Sequence, residues 1–216
     1  MRKMILALLL CSAVAVSGLT SCGQDEKTAV TTPEAAQQSS GISGNTMKLP
    51  ESGWTMEELL SHTYLCGKQL SYPLTIGSLG DGFEIGEGTA TVSEKDGEKR
   101  VDAELWFNKE YLGGISLDAG SVEEVNGETQ INYLFIDQYS DVYENSDGNI
   151  EVNGISIGDS KDDLIGSLGT PTKDNEEMFS CIYEMHNDPG AELWINFDNN
   201  NNVTGYIFQN ISRKGL

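Results

Sequence analysis

Histidine and basic residues are scarce in this 216-residue chain. It carries 2 histidines and 13 lysines plus arginines against 34 acids, a net charge of −21. Such a surface repels nucleic acid and anionic lipid headgroups, so no nucleic-acid partner is expected and charge alone cannot hold the chain to a membrane. His62 and His186 fall in no Ser–His–Asp or Cys–His spacing, and with two unrelated cysteines they make no zinc pattern. The expectation is therefore no enzyme, no catalytic residue, no metal and no cofactor. The glycine-rich stretch at 80–88 lacks both a following helix and a Lys-Ser/Thr pair, which argues against a phosphate cradle. Cysteine is sparse too. Beyond residue 22 only Cys66 and Cys181 remain, as two buried free thiols by default or as a disulfide.

The N-terminus has its own logic. Arg2 and Lys3 precede an apolar run, Met4–Gly18, that is short for a membrane span, so residues 1–21 read as a signal peptide. Leu19-Thr20-Ser21-Cys22 resembles the lipobox of bacterial lipoproteins. The resemblance implies cleavage before Cys22 and its diacylglyceryl modification; the other reading is an ordinary signal peptide cut after a small residue. Two acyl chains suffice for stable anchoring, so the protein is expected lipid-anchored at a cell membrane, on the extracytoplasmic side. Loss of Arg2 and Lys3 leaves 11 basic and 34 acidic residues, a net −23. Residues 22–48 hold the lipidated cysteine and a tether without aromatics, too polar to bury a core.

What is abundant is repetition. Ser71–Gly80 reads SYPLTIGSLG and Ser160–Pro171 reads SKDDLIGSLGTP, with IGSLG recurring after 89 residues. Ala103–Trp106 and Ala191–Trp194 both read AELW, 88 residues apart. Two matches at nearly one offset indicate two copies of one unit. The expected fold class is α+β: two tandem units, each a short helix packed on an antiparallel β-meander. Module 1 spans 49–137, a connector 138–149 and module 2 150–216. Ser71 and Ser160 are the expected N-caps, and Gly80 and Gly169 the left-handed C-caps. Thr55 and Glu58 form a capping box before a helix with Met56, Leu59 and Leu60 on one stripe. Strands are expected at Thr89–Ser93, Val101–Phe107, Tyr111–Leu117, Gln130–Ile136, Ile150–Ile157, Met178–Glu184, Ala191–Phe197 and Val203–Gln209, with turns at Asp96-Gly97 and Asn126-Gly127.

Alternation in the AELW strands places Leu105 and Phe107 on one face, Glu104 and Trp106 on the other. The second copy opposes Leu193, Ile195 and Phe197 to Glu192, Trp194 and Asn196. Tryptophans sharing a face with glutamates suggest an open surface, and tryptophan is a typical interface anchor. Trp106, Trp194, Glu104 and Glu192 are thus the candidate partner-binding residues, the alternative being a second core. The expected function is non-enzymatic protein binding or scaffolding, with an envelope or extracellular protein as partner. The alternative is small-ligand or calcium sensing by the acidic connector Asp137–Asp147. That segment fails the EF-hand pattern, because setting Gly148 as the sixth loop residue puts Tyr143 first and Gly154 twelfth.

The second module carries a further likeness. Gly154-Ile-Ser-Ile-Gly158-Asp-Ser160, then Leu164, Leu168-Gly169 and Pro171, leads to Tyr183, Leu193, Phe197-Asp198 and Val203. This pattern resembles small bacterial lipoproteins of the SmpA/OmlA (BamE) type. Two such units in tandem resemble the β-lactamase inhibitory protein architecture. The resemblance implies helices on one sheet face and a concave opposite face offered to a protein partner, here the face of Trp106 and Trp194. The cysteine placement departs from the intradomain disulfides of the inhibitor family.

Overall fold

The computed structural model describes residues 46–95, 97–142 and 150–211. The expected signal peptide (1–21), Cys22, nearly all of the expected tether and connector residues 143–149 lie outside them. In chain order the elements are α1 (Met56–Ser61), β1 (Thr63–Leu65), β2 (Lys68–Gln69), α2 (Ile76–Leu79), β3 (Phe83–Ile85), β4 (Thr91–Lys95), β5 (Glu98–Phe107), β6 (Glu110–Leu117) and β7 (Ile131–Asp137). Then follow β8 (Ile150–Val152), β9 (Ile155–Ser156), α3 (Lys161–Leu168), β10 (Lys173–Asn175), β11 (Ser180–Glu184), β12 (Glu192–Phe197) and β13 (Val203–Gln209).

The expected α+β class is not what forms. The protein is mainly β, built on a nine-stranded and a four-stranded sheet, both antiparallel. Two physical reasons account for the difference. The meanders of the two copies do not stay separate, because β7 pairs with β13 from Tyr133↔Gln209 to Asp137↔Gly205, giving the continuous order β10-β11-β12-β13-β7-β6-β5-β3 with β4 also on β5. The helices, of six, four and eight residues, are also too short to cover such a sheet. A second sheet, β2-β1-β8-β9, takes part in the same hydrophobic core. Its central pair is Thr63–Leu65 against Ile150–Val152, one strand from each copy.

The four-stranded sheet reveals a further repeated element. Cys66-Gly67 and Asn153-Gly154 are hairpin turns in matching places, all four residues at positive φ (49° and 75°, 49° and 86°). A two-residue turn with both residues left-handed matches the twist of its strands. The segment 150–157, expected as one extended stretch, is folded by the Asn153-Gly154 turn into β8 and β9.

Helix starts divide along the same lines. Ser160 caps α3, accepting from Asp163 N at 3.1 Å, and Thr55 and Glu58 form the expected capping box around α1. Ser71 is no cap. Leu74 accepts the Ile131 N–H and Thr75 bridges Gln130, so this backbone pairs with the sheet and α2 begins only after Thr75. Thr75 caps it, in a box with Ser78. Gly80 and Gly169 both end their helices at φ 84° with ψ near ±170°, an extended positive-φ conformation open essentially to glycine rather than the left-handed one expected.

The core lies on one face of the large sheet. Val101, Leu105, Ile115, Leu134, Ile136, Tyr206, Phe208, Leu193 and Ile195 are buried there with Leu59 and Leu60 of α1, Leu65 and Val152 of the small sheet and Leu164 and Leu168 of α3. Polar groups pin these layers together. Trp54 Nε1 donates to Leu168 O (3.1 Å), Tyr183 Oη to Gly169 O (2.8 Å) and Tyr206 Oη to Ile155 O (2.9 Å). Each bond gives the polar end of a buried aromatic side chain a partner inside the core.

Candidate functional site

The other face of the nine-stranded sheet carries the sequence-derived candidates. Along β5, Leu105 is buried toward the core while Glu104 and Trp106 are half-buried on the opposite face. Along β12, Leu193 and Ile195 face the core, and Glu192 and Trp194 are half-buried on the opposite face. Residues i and i+2 on a strand are about 6.6 Å apart, within reach of an indole lying along the strand. Trp106 Nε1 accordingly donates to Glu104 Oε2 at 3.0 Å, and Trp194 Nε1 to Glu192 Oε2 at 2.6 Å. Both copies therefore build the same pair: an indole held by the carboxylate two residues before it. All four residues share a face, as two pairs with β6, β7 and β13 between them.

The register fixes what lies between. One row across the strands runs Glu104, Gly114, Phe135, Ile207, Trp194. Phe135 and Ile207 are half-buried, and Gly114 leaves a gap beside Phe135. A neighbouring row runs Asp102, Ser116, Tyr133, Gln209, Glu192, and Ser116 Oγ donates to Asp102 Oδ1. Tyr111 lies opposite Trp106, and a Cβ at Gly86 would collide with the Trp106 indole nitrogen, so a glycine backs that ring.

The field on this face is negative. Burial, then the charges of Asp137, Glu104 and Asp141, pushes the Tyr111 phenol up; burial and Asp102 do the same to Tyr133. Burial likewise raises the Asp137 carboxyl, against the Tyr139 N–H that it accepts. Basic residues also lie on this face, among them Lys95 on β4, opposite Glu98 in the register. Arg100 lies on β5 beyond Asp102, and Lys173, on edge strand β10, is ion-paired to Glu184 at 2.6 Å. Among the described residues no ion pair to Glu104 or Glu192 forms. At the end of the face, Asp137, Tyr139, Asn196, Asp198 and Thr204 line an open depression of about 320 Å³.

Sequence reasoning missed the middle of this surface: Tyr111, Tyr133, Phe135 and Ile207. Its signal was the phase of alternation in INYLFID and VTGYIFQ, where Leu134, Ile136, Tyr206 and Phe208 go inward and the intervening residues outward.

The remaining candidates resolve locally. His62 Nδ1 lies 3.0 Å from Ser61 Oγ, but that hydroxyl donates to Glu58 O at 2.7 Å and the ring nitrogen meets the same carbonyl at 2.9 Å, an arrangement that closes the end of α1. His186 is exposed beside a turn. Cys66 and Cys181 are free, and burial pushes both thiols up to about 12, far from the range of a reactive thiolate. Of the acidic connector, the described part ends at Val142. Among the described residues, no group of three or more His, Cys, Asp or Glu is placed to hold a metal, and no helix is long and apolar enough to cross a membrane. No family model, no curated protein and no solved structure matches the chain.

Proposed function

We propose that the chain is a non-enzymatic, extracytoplasmic lipoprotein, anchored through Cys22, that binds a protein partner on the open face of its nine-stranded sheet. The observation that carries this reading is the duplicated pair, Trp106 on Glu104 and Trp194 on Glu192, on one face and with the same indole–carboxylate bond. Half-buried tryptophans held in one rotamer lose little entropy on docking and offer large contact areas, the properties of interface anchors. The reading also draws on the resemblance to tandem inhibitory-protein repeats, whose sheets jointly present one face.

Two experiments test it. Trp106→Ala with Trp194→Ala is expected to keep cooperative unfolding while abolishing capture of an envelope or extracellular protein; loss of folding instead makes both residues core and refutes the binding face. For the anchor, Cys22→Ser is expected to release the protein from the membrane fraction. Unchanged membrane retention would remove that half of the reading.

A further inference from the structure

We propose that the partner presents a cationic, extended segment, lying across the strands of the open face with one arginine or lysine at each Trp–Glu pair. This deepens the protein-binding reading and rests on it.

Three observations converge. The first is charge. Glu104, Glu192 and Asp102 lie on this face with Glu84, Glu98 and Asp137 beside them, against Arg100, Lys95 opposite Glu98 in the register, and an edge Lys173 already ion-paired to Glu184. The chain as a whole carries 34 acids and 13 lysines plus arginines. A face of one sign selects a partner of the other and speeds its encounter.

The second is the chemistry of each pair. A cation over an indole face is attracted by the ring's π-electrons, most strongly for tryptophan. The carboxylate that accepts the indole N–H lies at the ring's edge, so an incoming guanidinium meets the ring and an ionised oxygen together. Donation of the indole N–H to an anion also leaves the ring richer in electrons. An Arg or Lys side chain satisfies both elements at once, its stem on the ring and its head on the carboxylate.

The third is spacing. From β5 to β12 there are four strand steps, through β6, β7 and β13. At about 4.8 Å per step the pairs stand roughly 19 Å apart, which about six residues of extended chain span at roughly 3.3 Å each. Gly114, Phe135 and Ile207 form the floor along that path, apolar and with a gap at the glycine. Two cations joined at that distance bind as one bivalent ligand.

The test uses the full-length chain and three capped synthetic peptides: two arginines six positions apart in a Gly/Ser background, two arginines two positions apart, and the first peptide with glutamates for arginines. Tryptophan fluorescence and calorimetry measure affinity across a salt series. The wide peptide is expected to bind at least about tenfold tighter than the close one, through the bivalency that only it can reach. Its affinity falls with salt, and the glutamate peptide does not bind. Glu104→Gln with Glu192→Gln weakens the wide peptide by about tenfold or more, as loss of charge-assisted bonds requires. Glu128→Gln, an exposed acid in the turn before β7, has no effect.

Equal affinity for the two spacings overturns the proposal, because the surface is then a diffuse counter-charge. So does preferential binding of a neutral oligosaccharide on the same tryptophans. A partner protein whose capture is lost with both tryptophans but survives both Glu→Gln changes leaves the protein-binding reading standing and sinks this one alone.

Discussion

Asn153 is the residue whose loss the structure makes most calculable. It is 2% exposed, sits at φ 49° and closes the β8–β9 hairpin. Its Oδ1 accepts Met47 N at 2.7 Å, and its Nδ2 lies 3.0 Å from Met47 O, 3.0 Å from Ser167 Oγ and 3.2 Å from Ser167 O. Ser167 Oγ in turn donates to Asn153 O at 2.7 Å. One side chain thus ties the backbone at Met47, the small sheet and α3. Asn153→Ala removes the side-chain bonds and places an alanine in the left-handed region. Counting two effective hydrogen bonds at about 1 kcal/mol each, because Met47 can partly rehydrate, and about 1–2 kcal/mol for the backbone conformation, the loss is roughly 3–4 kcal/mol. For a domain of this size that lowers Tm by about 6–15 °C. Asn153→Gly loses the same bonds but no conformational term, so it should be milder than alanine by about 1 kcal/mol or more. Urea unfolding followed by tryptophan fluorescence, with m compared across variants, measures both differences. If alanine and glycine variants cost the same, or each less than about 1 kcal/mol, the pin and its backbone strain are not what hold this corner together.

Three other outcomes follow from single sites. Tyr206→Phe removes the hydrogen bond from a fully buried phenol to Ile155 O, so urea unfolding should report a loss of about 1 kcal/mol with unchanged spectra. Backbone and side-chain hydrogen bonds from Thr55 hold the Glu58 carboxyl below its ordinary 4.5. The depressed value means its contribution is complete above that value and is lost as pH falls through the folded one, so the stability gap between wild type and Glu58→Gln should close on acidification; a gap constant with pH refutes the capping assignment. Thiols pushed from 9.0 to about 12 hold roughly a thousandfold less thiolate at pH 8, so Cys66 and Cys181 should react with iodoacetamide about that much more slowly than in urea.

How much of this was legible depends on the range of the interaction concerned. The long strands were readable because each carries its own alternation and its own turn residues, as in Val101–Phe107 or the Asn126-Gly127 turn, where Asn126 Oδ1 accepts from Glu128 N. Capping at Thr55 and Ser160 was readable for the same reason. The single large sheet was not. It depends on β7 meeting β13, some seventy residues later, and nothing local in either strand names its partner. The small sheet was missed because its strands are two or three residues long, too short for periodicity, and one of its two turns is Cys66-Gly67. Cysteine at positive φ is a turn that composition does not announce. The four-residue α2 fell short of expectation because its would-be first turn pairs with Gln130 and Ile131, again a long-range competitor.

The repeat itself separates residues that serve folding from those presented outward. Within the shared IGSLG, Gly77 is required by packing, since a Cβ there would press on Gly127 O, 2.9 Å away, whereas Gly166 meets nothing within 4 Å. The same letter does different work because the surroundings differ. Gly80 and Gly169, by contrast, both need φ 84°. The Trp–Glu pairs stand between these cases. Trp106 sits near the sheet edge, opposite Tyr111 and against Gly86, while Trp194 sits between Ile182 and Ile207 in the second copy. Both settings hold the same indole on the same carboxylate, and both turn it away from the core. What the two sites share is the indole–carboxylate bond together with the leucine that each strand turns to the core, so the pair, rather than either residue, is the unit that the repeated AELW builds.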